Sequence, residues 1–158
     1  MKATPLRPNG MLLCMFGLMI VSGTEAAVCQ ISATAVNFGN FSPLTLNFVD
    51  STGSITVNCT DVAAYSIALS SGSGTYNQRS MVSGSYSLDY NLYRDAAHQQ
   101  VWGDNSSGGN YTVTIANPVN GQNYIHTVYG RIPLSTNRGA YIGTYSDAIS
   151  VIVNYEPV

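Results

Sequence analysis

Gly53-Ser54-Ile55-Thr56-Val57-Asn58-Cys59 is the stretch that decides the fold. Ile55, Val57 and Cys59 alternate with Ser54, Thr56 and Asn58, a period of two. A strand sends successive side chains to opposite faces, so this pattern buries one face and leaves hydroxyls and amides in water on the other. The same rhythm spreads both ways. Upstream, Gln30 to Phe38 carries Ile31, Ala33, Ala35, then Val36 and Phe38, and Gly39-Asn40-Phe41-Ser42-Pro43 ends it as a turn. Leu44, Leu46 and Phe48 predict a short second strand. Downstream, alternation returns at Tyr65 to Leu69, Tyr86 to Leu92 and Tyr111 to Ile115, with a fragment at Val101-Trp102. Tyr124 to Ile132 predicts a further strand closed by Pro133, and Ile149, Val151, Val153 and Tyr155 form one face of a long terminal strand. Residues 70–75 and 118–123 read as turns, and Gly139 to Gly143 as a turn or short strand. About seven to nine strands without any helical period predict an all-β domain, a sandwich or jelly roll.

Lys2 and Arg7 precede an apolar run from Met11 to Val21, and Thr24-Glu25-Ala26 offers small residues where a signal peptidase cuts. Residues 1–26 are read as a signal peptide, and 27–158 as one mature domain. The apolar run, about eleven residues, is too short to span a bilayer comfortably. Export leaves Cys29 and Cys59 as the only mature cysteines, and an oxidising compartment joins them. Chain entropy puts the value of closing this loop at roughly 3–4 kcal/mol. Two cysteines without histidines at ligand spacing do not make a zinc site, so neither metal nor cofactor is expected.

Past the leader the chain has no lysine, four arginines (Arg79, Arg94, Arg131, Arg138) and seven acids. So sparse a charge gives no footprint for nucleic acid or for anionic membrane. It gives no catalytic set either. Asp95, Asp104 and Asp147 could be cast as catalytic carboxylates, but the structural reading is stronger: Asp104, in a Gly/Asn/Ser turn, and Asp147, after Tyr-Ser, sit where aspartate caps its own backbone. His98 and His126 have no nucleophile at a recognised spacing and read as polar surface. Arg131 is expected to pair with an acid such as Asp89 or Asp95, its stem lying along the sheet. Trp102 is read first as core; as the alternative, exposed Trp102 and its tyrosine neighbours stack on a sugar, making the chain a carbohydrate-binding adhesin module.

Several blocks, taken in order, resemble the spore coat protein U domain family, which includes the archaic, Csu-type pilins of chaperone–usher systems. They are Cys29 with Val36-Asn37-Phe38-Gly39-Asn40-Phe41, Gly53 to Cys59, Leu88-Asp89-Tyr90-Asn91-Leu92-Tyr93-Arg94-Asp95-Ala96-Ala97, Val101-Trp102-Gly103-Asp104, Val128-Tyr129-Gly130-Arg131-Ile132-Pro133, and Gly143 to Tyr155. The resemblance implies an immunoglobulin-like sandwich lacking its last strand. A periplasmic chaperone, then a neighbouring pilin subunit, completes it by adding a strand, with an outer-membrane usher directing assembly. It implies a non-catalytic subunit of a surface pilus or coat, exported through the periplasm to the cell surface and supporting adhesion or biofilm. Ile149, Val151, Val153 and Tyr155 become the expected edge of the donor-strand groove. In one respect the chain departs from polymerising members. Only Ala27 and Val28 separate the expected cleavage site from Cys29, too few at roughly 3.3 Å each to span a groove. An acceptor rather than a donor of strands is expected, and with it a terminal or accessory subunit, such as an adhesin module at a fibre tip, or a free-standing secreted coat protein, rather than a repeating shaft subunit.

Overall fold

The computed structural model of the chain describes residues 26–42, 47–106, 108–133, 137 and 139–158. The expected leader up to residue 25 lies outside the described residues, as do Leu44 and Leu46 of the expected short strand; Phe48 is in no strand.

The deciding stretch becomes the second half of β2 (Val49–Thr60), where Ile55, Val57 and Cys59 are all buried. β2 lies between β1 (Val28–Thr34) and β9 (Asn123–Ile132), antiparallel to both. The larger sheet continues from β9 to β5 (Tyr86–Tyr93), β6 (Val101–Trp102) and β7 (Asn110–Tyr111), with β4 (Arg79–Ser83) also paired to β5. The smaller sheet has the order β10 (Val151–Pro157), β3 (Val62–Leu69), β8 (Val113–Ala116), again antiparallel. Tyr65, Ile67 and Leu69 of β3 meet Ile55 and Val57 of β2 and Leu88, Tyr90 and Leu92 of β5 in one core between the sheets. Removing this apolar surface from water is what holds two amphipathic layers face to face. The predicted all-β sandwich is thus observed, with no helix among the described residues.

Some boundaries differ from expectation. β1 begins at Val28, so Cys29 lies within it, directly opposite Cys59, rather than ahead of it. The two sulfurs are bonded, with Cα atoms 4.1 Å apart. β1 also stops at Thr34, short of Phe38. β4 was not foreseen, because the polar Arg79 and Ser80 hide its alternation. Tyr111 to Ile115 is not one strand but two, split at Thr112. Arg94 Nη1 donates to the Thr112 carbonyl at 2.8 Å, so that oxygen serves a side chain instead of a ladder, and the chain crosses there between the sheets. Gly139 to Gly143 is turn and irregular backbone.

That crossing closes one flank of the sandwich. Beside it Trp102 is fully buried and donates Nε1 to the Ile67 carbonyl at 3.0 Å, tying the two sheets together. Arg79 is fully buried too. It donates to the Ser70 carbonyl (3.1 and 2.8 Å), the Trp102 carbonyl (2.7 Å) and Asn91 Oδ1 (2.7 Å). Asn91 in turn donates to the carbonyls of Tyr76 and Asn77. A buried charge is tolerable only when its donors are satisfied, and these contacts engage all three nitrogens of the guanidinium.

Candidate functional site

The opposite flank is open. β1 ends the larger sheet and β10 ends the smaller one, and among the described strands neither has a second neighbour. Ile31 shows the consequence. It pairs across from Val57 and so points to the same inward face, yet it is 46% exposed while Val57 is 0% exposed. Between the two edges runs a groove of about 1060 Å³. Its floor is core: Ile55, Leu69, Leu88, Leu92, Val128 and Ile132. One wall is residues 33–42, continuing from β1. The other is residues 140–147 with Ile149 and Val151, leading into β10.

The walls run in opposite directions. Val28 pairs with Thr60 and Pro157 with Val62, so the start of β1 and the end of β10 lie at the same end of the molecule. A strand laid between them would be antiparallel to one edge and parallel to the other. Both edges offer unpaired backbone donors and acceptors, which is what an added strand requires.

Among the described residues, Asp147 is the one charged residue in the groove lining. It secures the second wall. Oδ1 accepts from the Ser73 amide and hydroxyl (both 3.0 Å) and from the Ala148 amide (2.9 Å), and Oδ2 accepts from the Tyr90 hydroxyl at 2.7 Å. Burial first, and the bond to Asp147 second, push the Tyr90 phenol well above its usual pKa, so it remains a donor. Gly72, at φ 64°, packs against this carboxylate with no room for a Cβ. The wall's other attachment is the bridge between Val82 and Ser146, whose amides and carbonyls exchange bonds of 2.9 and 3.1 Å.

Of the four residues expected to edge the groove, Ile149 and Val151 line it. Val153 packs on the core further along. Tyr155 does neither; it stands opposite Tyr65 and is 42% exposed, because the groove has ended by that point. Trp102 takes the core position, and a residue at 0% exposure offers no face to a sugar.

Most of the other described charged groups have structural partners. Arg131 pairs with Asp50 and not with Asp89 or Asp95. Its Nε and Nη2 donate to the two carboxylate oxygens at 2.6 and 2.7 Å, because the two residues stand opposite each other in the β2–β9 register. The bond to Arg131 holds the Asp50 carboxyl below the usual carboxylate range. Asp89 instead accepts from Gln78 and Ser80, and Asp95 caps the amides of Gln99 and Gln100. Asp104 accepts from the Ser106 amide, the turn cap expected of it. The histidines are not plain surface. His98 has only 8% of its side chain exposed and packs edge-on against Tyr93, while His126 Nε2 lies 3.0 Å from the Tyr65 hydroxyl. Burial lowers the His126 pKa and pushes the Tyr65 phenol up to about 12. Asp147 caps the Ala148 amide as expected, but its bonds to Ser73 and Tyr90, 74 and 57 positions away, have no local signal; Arg79 has one, as one of few cations in an apolar chain.

Comparison with known proteins agrees with this architecture. Among solved structures, a chain of the CsuC–CsuE chaperone–tip adhesion subunit pre-assembly complex, from archaic chaperone-usher Csu pili of Acinetobacter baumannii, aligns with 27% identity and a TM-score of 0.56. The alignment covers 82% of the present chain and 40% of that one, so the chain spans less than half its length. No curated protein matches. The Spore Coat Protein U domain model matches residues 15–152, and the chain belongs to that family, one of structural subunits and not of enzymes.

Proposed function

We propose that the chain is a pilus or coat subunit whose open flank accepts a β-strand from a partner. The single observation that carries this is the exposure of Ile31 on the inward face, beside a groove whose floor is the hydrophobic core itself. In a complete sandwich a strand would cover that floor and pair with β1 and β10. An inserted strand with alternating apolar residues would send one face onto Ile55, Leu92 and Ile132 and satisfy backbone groups on both sides. The partners in this reading are a periplasmic chaperone first and a neighbouring subunit afterwards, handed over at an outer-membrane usher, with the finished assembly at the cell surface. Adhesion or biofilm support is the role that such an assembly serves. The solved complex of a chaperone with a tip adhesion subunit supports the family of partners.

The test is complementation. A synthetic strand of about twelve residues with alternating apolar side chains should raise the unfolding temperature of the mature chain. A ligand bound only to the folded state contributes about 2.7 kcal/mol at a hundredfold excess over its Kd. The same strand fused after Val158 should give a soluble, self-complemented monomer. Affinity purification from the periplasm with mass spectrometry should recover a strand-donating chaperone. A mature chain that is fully stable alone, and indifferent to every such strand, would mean that the sandwich is already complete.

A further inference from the structure

The second wall of the groove is fastened to the body at Ser146 and Asp147. Ahead of that point it lies against the tip of the β4–β5 hairpin. Gly143 faces Ser83 so closely that a Cβ would come within 2.7 Å of the hydroxyl oxygen. Tyr141 stacks on Tyr86, with ring centroids 4.3 Å apart and planes 22° apart. Tyr86 stands opposite Ser83 at the end of the hairpin. The two rings are open to water, at 46% exposure for Tyr86 and 64% for Tyr141. Among the described residues one other pair of tyrosines touches. Tyr65 and Tyr124 meet edge-on at 6.2 Å, and Tyr65 is buried. Tyr86 and Tyr141 thus combine what the other tyrosines do not: two phenol rings face to face, both within reach of a reagent in solution.

We propose that Tyr86 and Tyr141 are a site of oxidative cross-linking, where a dityrosine bond staples the groove wall to the β4–β5 hairpin. The inference does not depend on what fills the groove. The reaction needs two phenols in contact and an oxidant that takes one electron at a time, such as a haem peroxidase supplied with hydrogen peroxide. Each phenol gives up one electron and one proton. The two phenoxyl radicals couple through ring carbons ortho to oxygen, forming one carbon–carbon bond. The proton on each coupled carbon is then lost and its oxygen regains one, restoring both phenols. The protein loses two hydrogen atoms in all, and the peroxide, taking both electrons and both protons, becomes two waters. A preformed stack favours the internal partner over a ring on another molecule, because proximity replaces a bimolecular encounter. Closing the long loop between residues 86 and 141 removes conformations from the unfolded chain, as a disulfide does.

The experiment treats the dilute mature chain with peroxidase and hydrogen peroxide and then digests it with trypsin. Cleavage after Arg79, Arg94 and Arg138 places Tyr86 in peptide 80–94 and Tyr141 in peptide 139–158. We expect these two peptides joined, lighter than their sum by two hydrogens and fluorescent as dityrosine, with fragment ions locating the bond at Tyr86 and Tyr141. Tyr86→Phe and Tyr141→Phe keep the ring contact but remove a phenol, and each should abolish the joined species. Tyr111→Phe and Tyr155→Phe, at positions 39% and 42% exposed, should leave its yield unchanged. The linked chain should unfold several degrees above the unlinked one. Dityrosine formed equally in the Tyr86→Phe chain, or links in the native chain that join other tyrosines or separate molecules, overturns the site. A link that leaves the unfolding temperature unmoved overturns the staple. The same joined peptides are expected in protein recovered from the cells that make it, and their absence there overturns the modification as a natural one.

Discussion

The two flanks of this sandwich face the same physical problem and solve it differently. Each is a place where sheets end and core side chains meet water. At the β5–β7 flank the chain crosses between sheets at Thr112, Trp102 bonds across the gap, and Arg79 satisfies three acceptors at 0% exposure. At the β1–β10 flank no described strand joins the two edges, and two irregular walls stand apart over uncovered core. The first flank is finished by its own residues. The second leaves unpaired backbone and apolar floor uncovered, at a cost in stability that a partner's strand would offset on the reading proposed above. A groove that can be filled is therefore not poor packing; the rest of the core is tight, with Val57, Ile67 and Trp102 all at 0% exposure.

The contrast breaks most readily at the closed flank. Arg79→Ala removes the guanidinium and strands the Ser70 and Trp102 carbonyls and Asn91, and should cost about 3–5 kcal/mol in urea unfolding. A loss below about 1 kcal/mol would mean that the flank closes without it. Next in size is the disulfide. Replacing Cys29 and Cys59 by alanine should cost roughly 3–4 kcal/mol, and free-thiol titration of the denatured native protein should find no reactive cysteine. The loss should be recovered in part when the groove is filled, since an inserted strand re-anchors β1.

Two glycines sharpen the comparison on the open side. A Cβ at Gly53 would meet the Thr34 carbonyl oxygen at 2.6 Å, whereas one at Gly130 would meet the tips of Val36 and Phe38 at 2.6 and 2.8 Å. Backbone in a ladder cannot retreat, but side-chain tips beside an open groove can. Gly53→Ala should therefore cost about 2–3 kcal/mol and Gly130→Ala about 1 kcal/mol or less. Equal costs would show the groove wall to be as rigid as the sheet.

The smallest effect concerns Asp50. Its folded pKa is depressed, so its contribution is present above the unfolded value of about 3.9 and is lost as pH falls through the folded one. The pair is partly exposed and worth at most about 1 kcal/mol. Asp50→Asn should differ from native at pH 7 and converge with it near the bottom of the carboxylate range. A difference that persists unchanged in acid would assign the effect to something other than the carboxylate charge.

The sequence by itself determined the strands whose two faces differ. Ile55-Val57-Cys59, Tyr65-Ile67-Leu69 and Leu88-Tyr90-Leu92 alternate because each lies between core and water, and that is a local pattern. The expectation of export, with Cys29 and Cys59 the two cysteines past the expected leader, sufficed to read the disulfide, since an oxidising compartment leaves them one partner. The tertiary structure decided what depends on register and on distant neighbours. Arg131 found Asp50 because β2 and β9 align them across 81 positions, while Asp89 was engaged by Gln78 and its cross-strand neighbour Ser80, and Asp95 by a turn. Asp147 gathers Ser73 and Tyr90 from two other segments to hold a groove wall. The open flank is the clearest case. Ile31 alternates like any core residue, and only the place of β1 at one sheet's end and β10 at the other's shows that nothing in the described chain covers it. Alternation records which face of a strand is apolar; whether another layer lies against that face is settled by how the sheets close.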